Sequence, residues 1–237
     1  MTLDKVSDKF KLLGKTVVIT GGAGLLGVKH AQTIAEYGGV PVLIDINDEV
    51  EAVAKNISKS FSIDAIGIKA DITIESEILS SLRLVKKKLK TVHILINNAT
   101  NNPKMTDGDS KNTRFESMPI DKWDNDIEVG LKGAFLCSRV FGSEMVKNGG
   151  GVILNIASDL GLIAPDQRIY RSKNMPDDMQ PVKPVSYSIV KHGIIGLTKY
   201  LATYWAHKNI RANSLCPGGI YQDQDSKFVK KLTNLIP

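Results

Sequence analysis

The sequence predicts a doubly wound α/β fold built on a parallel sheet, and three observations carry that expectation. Short apolar, β-branched runs alternate with longer stretches of helical period, the pattern of buried strands joined by crossover helices. A glycine cluster at Gly21, Gly22, Gly24 and Gly27 follows the first such run and opens the first helical stretch. With 237 residues, 42% hydrophobic and 24% charged, the chain can bury one substantial core, so a single domain over 1–237 is expected.

Strands are expected near Thr16–Thr20, Val40–Ile44, Ala65–Lys69, Val92–Ile96, Val152–Ile156 and Ile210–Leu215, each short, branched and bounded by polar or turn residues. Helices are expected over Leu26–Tyr37, Glu49–Ser60, Glu75–Leu89, Asp121–Lys147, Ser186–His207 and Asp225–Leu235, where apolar residues recur at helical spacing. Two stretches break the alternation. Residues 101–118 are polar and rich in Asn, Asp, Gly and Lys, which reads as an exposed loop. Residues 162–185 hold Pro165, Pro176, Pro181 and Pro184 among several charges; a loop of that length is expected to be functional.

Composition excludes several classes. The net charge of +6 comes from basic residues in short runs such as Lys86-Lys87-Lys88 and Lys230-Lys231, which read as solvated helix faces without a nucleic-acid motif. Cys137 and Cys216 form no CxxC pair and read as reduced thiols. The four histidines lack metal-site spacing, so no metal is expected. The charged N-terminal residues do not resemble a signal peptide and no run is long enough to span a bilayer, giving the expectation of a cytoplasmic protein without a membrane partner.

Gly22, Gly24 and Gly27 fit a GxGxxG spacing in a strand-turn-helix setting, where glycine permits a tight turn and a close approach of backbone to a pyrophosphate at a helix N-terminus. Gly21, Gly24, Leu25, Leu26 and Gly27 are therefore candidate cofactor contacts. Asp45, with Ile46 beside it, ends the second strand, where a carboxylate accepts the adenosine ribose hydroxyls and repels a 2′-phosphate; NAD is expected over NADP. Downstream, Tyr187 and Lys191 stand one helical turn apart on a shared face, so an ammonium can lie beside a phenol.

From these residues onward the chain resembles the short-chain dehydrogenase/reductase family, a Rossmann-type fold, nearly end to end. The further matching motifs are Asp71 after the third strand, Asn97-Asn98-Ala99 after the fourth, Ser158 after the fifth and Asn213 to Gly218 after the sixth. The resemblance implies that Asp71 and Ile72 contact the adenine, that Asn98 and Ala99 line the adenosine side, and that Pro217, Gly218 and Ile220 shape the nicotinamide pocket. It also implies hydride transfer between a nicotinamide cofactor and a hydroxyl or ketone, with Tyr187 as acid-base, Ser158 as hydrogen-bond donor to the substrate oxygen, and Lys191 holding the nicotinamide ribose. A free phenol, with a pKa of about 10, is too weak a base near neutrality, so Lys191 is expected to lower it. Homodimers or homotetramers are implied, built through the long helices after the fourth and fifth strands.

Three departures stand out. The glycines fall at 21, 24 and 27, a spacing shared with longer sugar-nucleotide-modifying relatives. Gly130 occupies the place of the family's catalytic asparagine; its main-chain carbonyl is expected to preserve the water relay to Lys191. The usual seventh C-terminal strand is missing from this sequence, which reads as C-terminally incomplete.

The stretch 162–185 is expected to form an active-site insertion, in which Arg168 and Arg171, one helical turn apart, clamp a carboxylate or phosphate beside Tyr170. Residues 163–170 and Tyr204-Trp205 resemble a bacterial surface-sugar and flagellin-modification subgroup, giving a polar sugar or sugar nucleotide as the expected substrate. A 3-oxoacyl reductase-like enzyme and a non-catalytic dinucleotide-binding regulator are the alternatives.

Overall fold

A computed structural model describes residues 6–102 and 112–236. Six parallel strands, β1 (Thr16–Thr20), β2 (Val40–Asp45), β3 (Ile66–Lys69), β4 (Ile94–Asn97), β5 (Gly151–Ile156) and β6 (Ile210–Leu215), lie in the order β3-β2-β1-β4-β5-β6. Sandwiched between helices on both faces, β1 is buried at every residue, which is why its sequence is apolar without alternation. The order reverses between β1 and β4, and such a switch point opens a crevice beyond the carboxyl ends of the strands.

Helices α1 (Leu25–Glu36) and α2 (Val50–Phe61) carry buried residues of the core cluster on one face of the sheet, through Ala31, Ala35, Val50, Ala54 and Ile57. The cluster on the other face takes in Ile78 and Val85 of α3 (Glu75–Leu89), and Phe141 and Met145. Fully burying side chains such as Phe141 or Ile78 contributes about 1.5–3 kcal/mol each. Glu75 and Glu77 open α3 and Lys86, Lys87 and Lys88 close it, matching the helix dipole; Lys86 also pairs with the buried Glu144 at 2.9 Å.

The stretch expected as one helix over Asp121–Lys147 is helical throughout but not uniform. Segments α4 (Ile120–Ile127), α5 (Gly133–Cys137) and α6 (Ser143–Lys147) are separated by two π turns, Glu128–Lys132 and Ser138–Gly142. Helix α7 (Val185–Tyr204) follows the insertion, ending three residues before His207, and α8 (Ser226–Thr233) follows β6. Half of the loop expected over 101–118, residues 103–111, lies outside the described residues.

Across the middle of the sheet runs a chain of buried side-chain hydrogen bonds. Asn97 Nδ2 donates to Ser138 Oγ (3.0 Å) and Asn155 Oδ1 (2.8 Å), and Asn155 Nδ2 donates to Thr198 Oγ1 (2.8 Å). It ties β4, β5, the second π turn and α7 together directly below the crevice.

Candidate active site

The crevice is a cleft of about 2160 Å³ running from the glycine turn to the insertion. At its nucleotide end the chain leaves β1 through Gly21 in the left-handed region, φ +64°, with a hypothetical Cβ 3.0 Å from Ala99 Cα. At Gly27 a Cβ would stand 2.0 Å from the Gly21 carbonyl oxygen, a main-chain atom that cannot yield, so glycine lets α1 dock against the turn. Helix α1 starts after Gly24 without a side-chain cap, and Gly24, Leu25 and Leu26 line the cleft. Its uncapped first-turn N–H groups and positive dipole end suit a phosphate.

Asp45 accepts from Ala23 N (2.9 Å) and Asn47 N (3.0 Å), which pins its carboxylate to the glycine turn; exposed Ile46 stands next to it. Asp71 accepts from Thr73 N and Oγ1, both at 2.8 Å, while Ile72 packs where a side chain on Gly133 would fall. Asn98 Nδ2 donates to the carbonyls of Thr20 and Gly21, and Thr20 Oγ1 accepts from the N–H groups of Asn98 and Ala99. Thr20, which sequence reasoning did not single out, therefore joins β1 to the end of β4. Pro217, Gly218 and Ile220 line the far wall.

At the reacting end, Ser158, Tyr187 and Lys191 all line the cleft. Ser158, two residues beyond β5, is 6% exposed, and its hydroxyl donates to Asp159 Oδ1 (2.8 Å). Lys191, 3% exposed, donates to the Ile156 carbonyl at 2.8 Å and lies 5.6 Å from the Tyr187 ring centroid. The expected lowering of the Tyr187 pKa is not what the protein groups produce. Burial holds it above the ordinary phenol value; the Ser158 hydrogen bond pulls the other way and the Asp159 carboxylate adds to the rise. The residue spacing revealed a cation nearby but not the desolvation of the phenol.

The clearest omission from the sequence reading is Lys183. Gln167 holds its backbone in place, donating through Nε2 to the Lys183 carbonyl and accepting from its N–H. The ammonium donates to Asn102 Oδ1 at 2.7 Å and sits 3.8 Å above the Tyr187 ring centroid. The one available signal was a lysine bracketed by Pro181 and Pro184 just ahead of the Tyr187 helix, since proline fixes its own φ and restricts the residue before it.

The insertion does border the cleft, through Ile163, Pro165, Tyr170 and Lys173 among others. Its irregular backbone is held by Gln167 and by Gln180, whose side chain bonds Ser172 N, Ser172 O and Met175 O. Tyr170 packs against Phe228 of α8 at 5.7 Å, and burial pushes its phenol up to about 12. Lys231 of α8 donates to the Ile169 and Arg171 carbonyls. The arginine clamp is not formed. Arg168 folds back onto Asp166 in a two-pronged pair and does not line this cleft, while Arg171, which does line it, pairs with Asp177. Each guanidinium is satisfied by a loop carboxylate two to six residues away, a competition the helical spacing alone did not show.

Lys183 and Lys191 are both pushed down to about 8 from 10.5, chiefly by burial, and Lys191 also by Lys183. Between those values the unfolded chain holds protons that the folded chain releases, so each lysine costs on the order of 3 kcal/mol below pH 8, a cost that fades as pH rises to about 10.5. Lys183→Met is expected to stabilise the fold by about 1–3 kcal/mol at pH 7 and by nothing above pH 10.5. Paired urea titrations at both pH values measure it.

Among the described residues no cluster of three potential metal ligands occurs, and no helix is long and apolar enough to cross a membrane. Residues 15–172 match the family model described as short chain dehydrogenase, and 177–235 match one described as enoyl-(acyl carrier protein) reductase. An NAD-dependent glycerol dehydrogenase of Listeria innocua is 31% identical over 227 residues, 96% of this chain and 79% of that protein. A D-beta-hydroxybutyrate dehydrogenase of Rhizobium meliloti is 34% identical over 206 residues, 86% of this chain and 70% of that protein. Among solved structures, a putative short-chain alcohol dehydrogenase from Sinorhizobium meliloti superposes with a TM-score of 0.75 at 26% identity, covering 93% of this chain and 78% of that one. The first two are named as glycerol and hydroxybutyrate dehydrogenases and the third as an alcohol dehydrogenase, and the expected surface-sugar subgroup finds no support among them. A parallel sheet whose strand order reverses beside a glycine turn, and a serine, tyrosine and lysine gathered in the resulting cleft, accompany a family match over most of the chain: it belongs to the short-chain dehydrogenases, oxidoreductases that use NAD or NADP.

Proposed function

We propose that this protein oxidises a secondary hydroxyl of a small, hydroxyl-rich substrate, sugar-like or a polyol, with NAD as the acceptor, and catalyses the reverse reduction. The observation that carries this is the gathering of Ser158, Tyr187 and Lys191 in one cleft whose other end is an uncapped helix N-terminus. Gly21, Gly24, Leu25, Leu26, Asp45, Asp71, Asn98 and Ala99 would hold the adenine, ribose and pyrophosphate, and Pro217, Gly218 and Ile220 the nicotinamide. When bound, that ring supplies the hydride acceptor and a positive charge.

Tyr187 accepts the hydroxyl proton of the substrate and Ser158 orients the same oxygen. Lys191, anchored to the Ile156 carbonyl, keeps a positive charge beside the phenol and offers its remaining N–H donors to the nicotinamide ribose. The Gly130 carbonyl carries a water toward Lys191, taking the part played by the family's asparagine. Polyol substrates suit the similarity to the glycerol dehydrogenase. Phe135 of α5 and Tyr200 and Tyr204 of α7 point outward, which supports a homodimer or homotetramer built on those helices.

The test is NADH binding by fluorescence, followed by NAD reduction with glycerol, threitol and glucitol; absence of NADH binding would end this reading. For the cofactor preference, Asp45→Asn keeps an oxygen for the Ala23 N–H but removes the charge that repels a 2′-phosphate. It is expected to shift the NADP-to-NAD ratio of kcat/KM by about tenfold or more toward NADP, the equivalent of about 1.4 kcal/mol. A wild type that already prefers NADP would contradict the assignment.

A further inference from the structure

We infer that Lys183 is the residue that reads an anionic group on the substrate, so that the preferred substrates are hydroxy acids whose carboxylate lies one or two carbons from the reacting carbinol. This rests on the active-site reading above for the hydride transfer and changes its substrate class from neutral polyols to hydroxy acids.

Lys183 is 8% exposed, lines the cleft and lies 3.8 Å from the Tyr187 ring centroid, closer than Lys191 at 5.6 Å. An ammonium has three donors. One goes to Asn102 Oδ1, and among the described residues the carboxylates of Asp126 and Asp159 reach it through their charge without forming an ion pair. The hydrogen-bonding oxygens of both carboxylates are engaged by other donors. Asp126 accepts from Ser186 Oγ at 2.6 Å and from Asn101 Nδ2 at 3.0 Å. Asp159 accepts from Ser158 Oγ and Leu160 N, both at 2.8 Å.

A buried cation without a paired anion is costly, and one carboxylate from a ligand offsets that cost while forming charge-assisted hydrogen bonds. Arg168 and Arg171 cannot do this, because Asp166 and Asp177 already hold them. The distance sets the chain length. A substrate whose carbinol oxygen bonds the Tyr187 phenol has only a few ångströms before it meets the ammonium over the same ring. That span fits a carboxylate at the second or third carbon relative to the carbinol, and not one at the far end of a long chain.

The test titrates matched acid and alcohol pairs, 3-hydroxybutyrate against butane-1,3-diol and gluconate against glucitol, into the enzyme with and without saturating NADH, by calorimetry. For the wild type the acids are expected to bind about 10- to 100-fold more tightly than the alcohols, the range for hydrogen bonds to a charged group. Lys183→Met should collapse that ratio toward unity, and Lys183→Arg should restore part of it. Equal binding of acid and alcohol by the wild type, or an acid preference that survives in Lys183→Met, overturns the inference. If NADH itself fails to bind, the proposed function falls, while the cofactor-free titration still decides whether Lys183 reads the carboxylate. NAD reduction with polyols but without acid preference would sink only this inference.

Discussion

Replacing Tyr187 with Phe is expected to lower turnover by about 10²–10⁴-fold while leaving NADH affinity within a few fold of wild type. The variant removes one oxygen from a ring already packed beneath Lys183, so the packing and the cation over the ring remain. It deletes the phenol beside Ser158 and Lys191 that is assigned to take the substrate proton. Because burial and Asp159 hold that phenol above the ordinary value, wild-type oxidation should quicken as pH rises. The variant should lose that dependence. Stopped-flow NAD reduction across pH 6–10 measures both effects, and equal rates in the two proteins would remove Tyr187 from the chemistry.

Gly130→Asn is expected to lower stability by about 1–3 kcal/mol and turnover by roughly tenfold or more. Asparagine is the residue that the family pattern would put here, yet the site is shaped for glycine. A Cβ at Gly130 would stand 2.5 Å from Val190 Cγ1 and 3.2 Å from Cγ2. Val190 cannot turn aside freely, because a β-branched side chain in a helix has one strongly preferred rotamer. The better helix propensity of a non-glycine residue is worth less than 1 kcal/mol and does not offset the collision. Relief must come from shifting α7 at Val190, which lies next to Lys191 and on the helix that carries Tyr187, so the damage reaches the site. Urea unfolding and kcat, with NADH affinity as a control, report it; a many-fold gain in turnover would show that the Gly130 carbonyl is a poor substitute for the asparagine.

The fold was legible because its strongest signals are local. Each strand was placed to within two residues at either end, since buried parallel strands leave unbroken apolar runs and glycine or polar residues mark their limits. The two π turns were not, because one extra residue per turn shifts an apolar stripe by too little to see in a stretch that is buried on several sides. At the site, motif spacing brought Ser158, Tyr187 and Lys191 together and located the turn around Gly21 to Gly27. What it did not reveal was pairing and burial. Arg168 and Arg171 looked available until Asp166 and Asp177 were placed beside them, and Lys183 looked like a loop charge until its burial over Tyr187 was visible.

The contact between the insertion and α8 has its own consequence. Two hydrogen bonds from a single lysine to main-chain carbonyls, plus the ring pair of Tyr170 and Phe228, join the roof of the cleft to the last helix. Those ties are few and close to solvent, whereas the floor is fastened by the buried amide and hydroxyl chain from Ser138 to Thr198. On warming, the roof should therefore part from its support while the floor stays intact, so this protein would forget how to grip its substrate well before it forgets its shape.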